Sequence, residues 1–177
     1  MNKRDMVIQS IVFLRGPNIW TYSSAIEAVI DIGDLEDCPS DVVPGLYERL
    51  VAWLPSLIEH RCSPGVRGGF LQRLRTGTWP CHILEHVTLA LQDLSDGPGH
   101  GFGRARETDT RGVYKVVISG WQEQVTRAAL YAGRDLVMAA IEDRPYDLEA
   151  ALEHLRELRQ DLCLGPSTAS IVLAAID

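Results

Sequence analysis

Two histidines four residues apart, with a glutamate directly before the second, are the side chains in this sequence best suited to chemistry. They are His82, Glu85 and His86, within the segment TWPCHILEHVTLALQDL. Imidazoles at positions i and i+4 of a helix reach one cation from a single turn, and a nearby carboxylate can take a proton from the water that the cation activates. The His-x-x-Glu-His order is the inverted zinc-peptidase motif. We therefore interpret His82 and His86 as zinc ligands and Glu85 as a catalytic base, with an ordinary polar helix edge as the alternative.

A zinc site of this kind needs at least one more ligand from the protein. The sequence does not single one out, and the candidates are His60, His100, Glu107, Asp109 and Glu123. We prefer Glu107, because it lies just ahead of a predicted strand, where a loop could return beside the helix. Cys62 and Cys81 are weaker candidates, since a free cysteine is more often a core or surface thiol.

The two histidines are predicted to lie in the first turns of a helix, at the edge of its buried face. Pro80 is tolerated in a first turn because its missing N–H would have no partner there, and Thr78 is a possible N-cap. At ~100° per residue, His82 and His86 are only ~40° apart around the helix. Both lie beside an apolar stripe at helical spacing, formed by Ile83, Val87, Ala90, Leu91 and Leu94. We expect both rings to be partly sheltered.

The remaining segments predict an α+β (mixed α/β) fold, with helices packed on one small, mostly antiparallel sheet. Alternation indicates strands at VIQSIVFL, AIEAVIDIG and VYKVVISGW, the first two paired. The glycine-rich segment 97–112 is a loop or a hairpin. Helices are expected over Asp41–Ile58, FLQRLR, the His-bearing segment, QEQVTRAALYAGRDLVMAAIE and Asp147–Asp161.

Composition bounds the class of protein. The 177 residues are 46% hydrophobic and carry a formal net charge of −7, which favours one well-packed domain and argues against a general affinity for nucleic acid. No segment approaches the roughly 18 apolar residues of a membrane span. The N-terminus lacks the features of a signal peptide, and the scattered cysteines fit reduced thiols. We expect a soluble, cytoplasmic protein without nucleic-acid or membrane partners.

Several unusual blocks, in order along nearly the whole chain, resemble the N-terminal region of cyanophycin synthetases. They are FLRGPNIW, HRCSPGVRGGFLQRLRTGTW, HILEHVTLALQ, GFGRARET, GVYKVV and LGPSTASIV. The sequence departs from the pattern at Pro64, where an acid is common, and at Pro80-Cys81, which replaces a Met-Gly-like pair. In that family an ATP-grasp domain and a Mur-ligase-like domain follow. The resemblance thus implies an N-terminal domain over residues 1–161, with 162–177 as a linker and the start of an ATP-grasp domain.

This resemblance implies a substrate. Cyanophycin has an aspartate backbone with an arginine joined to each side-chain carboxylate, and the family's His-x-x-Glu-His motif implies zinc-dependent hydrolysis that generates primers. More weakly, the fold is similar to that of pitrilysin-type peptidases. Carboxylates of the polymer would be held by arginines, because guanidinium–carboxylate pairs are bidentate. The candidates are Arg61, Arg67, Arg73, Arg75, Arg104 and Arg106, while a separate acidic face over residues 30–41 would hold its guanidinium groups.

Two other functions remain open. The alternatives to a hydrolase are a non-catalytic module that anchors the polymer for the synthetase and a plain scaffold in a larger ligase. The glycine-rich segment lacks the GK[ST] of a phosphate loop, so the ATP-dependent ligase reaction is not expected in this chain. A homo-oligomer is possible.

Overall fold

A computed structural model describes residues 5–95 and 101–162. Its centre is a four-stranded antiparallel sheet of β1 (Val7–Leu14), β2 (Ala25–Asp31), β3 (Gly103–Glu107) and β4 (Val113–Ser119), in the order β1-β2-β4-β3. The predicted α+β class with a small antiparallel sheet is confirmed. β3 is an edge strand, and it contacts the helix that carries His82 and His86.

Five α-helices accompany the sheet: α1 (Leu46–Trp53), α2 (Gly69–Thr76), α3 (Pro80–Leu94), α4 (Glu123–Ile141) and α5 (Leu148–Leu162). Helices α3 and α4 contact each other and the sheet, and α5 packs on both helices. Alternate residues of the two central strands, such as Ile26, Ile30, Val116 and Ile118, are fully buried in the core shared with these helices. This is the period-2 pattern expected of strands with one face against helices.

The long helix predicted over Asp41–Ile58 is wrong. The segment forms a 3-10 turn at Ser40–Val42, then α1, then a second 3-10 turn at Pro55–Glu59. Gly45, after Pro44, has φ 71° and separates the first turn from α1 in a left-handed conformation. Pro55 disfavours the α conformation at Leu54, the residue before it, where the helix stops. Pro44 and Pro55, expected at the first turn and near the end of one helix, therefore lie at its two breaks. The segment forms three pieces instead.

Helix α3 begins where the sequence predicts, but its N-cap differs. Pro80 occupies the first turn and Trp79 is the capping residue, without a side-chain capping bond. The Thr78 side chain, predicted as the cap, instead contacts His82. Thr78 is therefore available to orient an imidazole rather than to satisfy the helix end.

The hairpin alternative for the glycine-rich segment is realised in part, since β3 and β4 pair antiparallel. Residues 96–100, and with them His100, lie outside the described part of the chain.

Helix α5 runs one residue beyond its predicted end, to Leu162. Because residues 163–177 are likewise not described, the domain boundary at residue 161 stays a prediction. Within the described ranges, no helix has both the length and the apolar character needed to cross a membrane.

Helices α3 and α4 approach each other closely at Gly133. A Cβ atom there would be 2.7 Å from Thr88 Oγ1 and 3.3 Å from Leu84 Cδ1. The Thr88 hydroxyl donates to the Leu84 carbonyl at 2.8 Å and is fully buried, so it has little freedom to move away. The contact thus requires a residue without a side chain.

We expect Gly133→Val to lower the free energy of unfolding by about 1–3 kcal/mol, because an overpacked interface forces backbone or rotamer shifts. Chemical denaturation measures the loss. Thr88→Ala removes the atoms that the new side chain meets, so the double variant should lose less than the sum of the two single variants. Strict additivity would contradict this explanation of the helix crossing.

Candidate metal centre

A cleft of about 960 Å³ runs alongside α3. One wall is the connection from the second 3-10 turn to α2, including His60, Arg61 and Cys62, and the other is β3. The floor consists of the residues of α3 on one face: His82, Glu85, His86, Leu89, Ala90 and Asp93. The cleft is therefore built around the helix that carries the predicted motif.

Three potential metal ligands converge on the cleft floor. His82 Nε2 lies 3.2 Å from His86 Nε2 and 3.3 Å from Cys62 Sγ, and the ligand atoms of all three residues lie within 4.8 Å of one another. A tetrahedral zinc with bonds of ~2.0–2.1 Å to nitrogen and ~2.3 Å to sulfur requires N···N near ~3.3 Å and S···N near ~3.6 Å. The donor set and the two distances from His82 Nε2 therefore fit zinc, and three protein ligands leave one position for water or substrate.

Hydrogen bonds at the far side of each ring direct these donor atoms. The Thr78 hydroxyl lies 2.7 Å from His82 Nδ1, and His60 Nδ1 lies 2.8 Å from His86 Nδ1. When Nδ1 of each ring carries the proton and donates it to this partner, Nε2 keeps its lone pair toward the cluster. Thr78 and His60 are thus placed to accept from the tautomers that a metal requires.

Packing fixes the same rings. The fully buried Phe70 stacks on His86 with centroids 4.0 Å apart and planes at 27°, and it meets His82 edge-on at 5.8 Å. His86 itself is only 6% exposed, more buried than the partial shelter that the helical spacing predicts, whereas His82 is half-buried. The extra burial of His86 comes from α2, which supplies Phe70.

Cys62 is held by an unusual backbone. It is one of two residues other than glycine with positive φ among the described residues, at 51°. Gly65 N–H donates to its carbonyl, and the start of α2 lies against the same loop, where a Cβ on Gly69 would be 1.7 Å from the Arg61 carbonyl oxygen. Residues held in this conformation often mark functional sites, since surrounding structure must stabilise them.

Burial keeps both histidines neutral. The pKa of His82 is lowered to about 4, mainly by desolvation and secondarily by the charge of Arg73. The pKa of His86 is lowered to about 2, again mainly by desolvation, with smaller contributions from His82 and His60. The neutral imidazole is the form that binds metal, so neither ring needs to lose a proton near pH 7.

Glu85 lies next to the cluster but outside it. Its Oε1 is 4.0 Å from His86 Nε2. Burial raises the pKa of Glu85 to about 7, opposed by the backbone N–H of Ala105 and by Arg104. A carboxylate with a pKa near the working pH is well matched to proton transfer. The geometry therefore suits a base beside the ligands better than a ligand.

The preference for Glu107 as third ligand is not supported by its position. Glu107 is exposed at the end of β3, opposite Tyr114, and within the described ranges it belongs to no metal-ligating group. Asp109 and Glu123 are also outside the group, and Glu123 pairs with Arg127. Cys62 is instead the third member of the candidate group. No spacing rule could have found it, because it comes from a loop twenty residues before His82.

The predicted arginines separate into two sets. Arg61, Arg67 and Arg104 line the cleft. The other three do not: Arg75 lies over the Tyr47 ring, Arg106 lies over Trp20, and Arg73 lines no part of the cavity although its charge lowers the pKa of His82. The acidic segment 30–41 lies outside the cleft lining, and the separate acidic face expected there for guanidinium groups stays a prediction. Among the described residues, the carboxylates that line the cleft are Glu59, Glu85 and Asp93, and Glu59 accepts from Arg67.

The fold and this cluster define a small α+β domain with a candidate metal centre on a buried helix. Residues 27–142 match the family model described as a cyanophycin synthase-like N-terminal domain, and the chain belongs to this family. It is 47% identical over 175 residues to a cyanophycin synthetase of Synechocystis sp., 45% to one of Crocosphaera subtropica, and 44% over 170 residues to one of Geminocystis herdmanii.

The similarity covers 96%, 96% and 92% of this chain respectively, but only 20%, 20% and 19% of the three relatives. The chain thus spans about a fifth of the length of the curated relatives it matches. The resemblance seen in the sequence blocks is confirmed at the level of the family.

If Cys62, His82 and His86 hold the metal, protein purified without chelator should contain about one zinc ion per chain. His82→Ala combined with His86→Ala should empty the site, and Cys62→Ala should release zinc at lower chelator concentration than wild type. Atomic absorption after graded chelation measures both. Cys38→Ala and Glu107→Ala are the matched controls and should retain zinc. Wild-type retention in Cys62→Ala would remove Cys62 from the ligand set, and retention in the double variant would remove the histidines.

Proposed function

We propose that this chain is a zinc-dependent hydrolase domain that binds cyanophycin and cleaves its amide backbone, releasing shorter chains that serve as primers for a synthetase. The observation that carries the proposal is the convergence of Cys62, His82 and His86 beside the Glu85 carboxylate in one open cleft. Family membership supports the choice of polymer, since the similar proteins are named cyanophycin synthetases.

Cys62, His82 and His86 would hold the metal. When bound, zinc supplies Lewis acidity that activates water and polarises an amide carbonyl. The chain's own residues prepare for this, because Thr78 and His60 orient the two rings and Phe70 restricts their motion. The carboxylate of Glu85 stays outside the ligand set, where its proton affinity is retained.

Glu85 is assigned the proton transfers. Its carboxylate accepts a proton from the water whose oxygen adds to the amide carbon, and the same proton then passes to the departing nitrogen as the C–N bond breaks. The products are a carboxylate and an amine. Burial supports this role by bringing the pKa of Glu85 to about 7, so that the group can both take and return a proton near neutral pH.

The cleft carries charges of both signs, as a zwitterionic polymer requires. Arg61, Arg67 and Arg104 are placed to bind carboxylates, and Glu59 and Asp93 to bind guanidinium groups. The Arg67–Glu59 pair, at 2.6 Å, is exposed, with about 60% of each side chain accessible. Such a pair is worth little by itself and exchanges partners at low cost.

The second candidate function is polymer anchoring without cleavage, and the same mixed charges along the cleft favour it. In a longer protein the ATP-grasp and Mur-ligase-like domains would then be the partners that extend the anchored chain. We assign no ligase activity to this domain.

Glu85→Gln distinguishes the two functions. The amide keeps the size of the side chain but cannot accept the proton, so release of soluble fragments from cyanophycin should fall by a factor on the order of 10²–10⁴. Zinc content and polymer binding should stay near wild type. The control is Glu107→Gln, the same substitution at an exposed position outside the cleft. This variant should cleave polymer at the wild-type rate. Equal cleavage by Glu85→Gln and wild type would exclude Glu85 as the base, and a zinc-loaded wild type that never cleaves would favour anchoring.

The cleft arginines should contribute measurably to polymer binding. Arg61→Ala and Arg67→Ala should each weaken binding by a factor of about 2–5 at low salt, as expected for exposed charge pairs. Added salt should reduce the difference, because charges are screened over about 8 Å at physiological ionic strength. Arg75→Ala is the control, since Arg75 stacks on Tyr47 away from the cleft. Sedimentation with insoluble polymer measures binding. Equal loss in all three variants would place the binding surface elsewhere.

A further inference from the structure

The Glu85 carboxylate lies against β3, the edge strand of the sheet. Phe102 C=O accepts from Ser119 N–H at 2.8 Å, and Thr108 N–H donates to Val113 C=O at 3.0 Å. Because alternate residues of an antiparallel strand bond to the same neighbour, the backbone groups of Gly103 and Ala105 point away from β4. In the described part of the chain no strand pairs with this side of β3, so it is the free edge of the sheet, and it borders the cleft where Glu85 is found.

Gly103 provides the space that Glu85 occupies. A Cβ atom on Gly103 would be 2.6 Å from Glu85 Cγ, 2.8 Å from its Oε1 and 2.9 Å from Leu89 Cδ1. Both of those side chains are buried and cannot swing freely into solvent. Any other residue at position 103 would therefore displace the carboxylate.

The backbone conformation does not explain this glycine. Its φ is not among the positive values that favour glycine in this chain, and the residue lies in regular strand pairing. Glycine inside a strand weakens it and commonly marks close approach of another group. Here that group is the carboxylate of Glu85. The backbone N–H of Ala105, two residues further along the same free edge, bonds to this carboxylate from the strand.

We propose that Gly103 is a positioning residue for the reaction, and that the free edge of β3 holds the Glu85 carboxylate beside the metal ligands but out of their coordination set. This inference rests on the proposed hydrolase function. A Cβ atom on Gly103 would be 2.8 Å from Oε1, the same carboxylate oxygen that lies 4.0 Å from His86 Nε2. Without the strand contact the flexible side chain could turn onto the metal or away from the water it must deprotonate.

Gly103→Ala is the direct test. A methyl group at this position should shift the carboxylate by a fraction of an ångström to about 1 Å, and a misplacement of that size costs up to about 10²-fold in rate. We expect kcat for polymer cleavage to fall by a factor on the order of 10–10², with KM and zinc content near wild type. In a Glu85→Gln background the same substitution should have no further effect on kcat, because the group it displaces no longer transfers protons.

Gly133→Ala is the matched control. It also inserts a methyl against α3, 2.7 Å from Thr88 Oγ1, but on the side facing α4 and away from the cleft. It should keep kcat close to wild type even if it lowers stability. An equal loss of kcat in Gly103→Ala and Gly133→Ala would reduce the effect to general crowding of the helix and overturn the proposal.

Nuclear magnetic resonance supplies a readout that needs no activity. The amide proton of Ala105 should shift when its charged acceptor is altered, in Glu85→Gln and in Gly103→Ala, and should stay in place in Gly133→Ala. An Ala105 amide that is unmoved by Glu85→Gln overturns the proposal even if Gly103→Ala does not fold. If wild type does not cleave polymer but the Ala105 signal responds as expected, the hydrolase function is wrong. The interaction between β3 and the Glu85 carboxylate is then still supported.

Discussion

Three ionisable side chains, His82, Glu85 and His86, lie largely away from water on two adjacent turns of α3. The residues around α3 must therefore keep each of them neutral or give it a hydrogen-bond partner. A buried polar group without a partner costs about 1–3 kcal/mol, and charged groups cost more. His82 and His86 meet the constraint by staying neutral and by bonding through Nδ1 to Thr78 and His60. Glu85 meets it through its raised pKa and the backbone of β3.

Where both rings carry the proton on Nδ1, the metal-binding side of the cluster brings unprotonated donor atoms together. His82 Nε2 lies 3.2 Å from His86 Nε2 and 3.3 Å from the Cys62 sulfur. Lone pairs directed at a common point repel unless a proton or a cation lies between them. A cation bound by all three would remove this repulsion, and the left-handed Cys62 would supply the sulfur from its loop.

Sequence patterns predicted the parts of this arrangement that lie close together along the chain. The helical register that brings His82 and His86 together, the first-turn role of Pro80 and the strand alternation of β2 and β4 all depend on local periodicity, and the structure has them. Contacts between distant segments were not predictable in this way. Cys62 reaches the histidines because the 3-10 turn at Pro55–Glu59, just before its loop, packs against α3. Glu107, expected on a loop returning beside the helix, is exposed at the end of an edge strand. The need for a glycine at position 103 likewise cannot be predicted from the sequence, because it arises only when β3 lies against Glu85 in the fold.

X-ray absorption at the zinc edge of the purified domain tests the central claim most directly, because it reports the ligand atoms without reference to activity. We predict zinc bound by one sulfur at about 2.3 Å and two imidazole nitrogens at about 2.0 Å, with one further light-atom ligand. Zinc coordinated by nitrogen and oxygen alone, with no sulfur in its shell, would contradict the assignment of Cys62, and with it the geometry on which the proposed site is built.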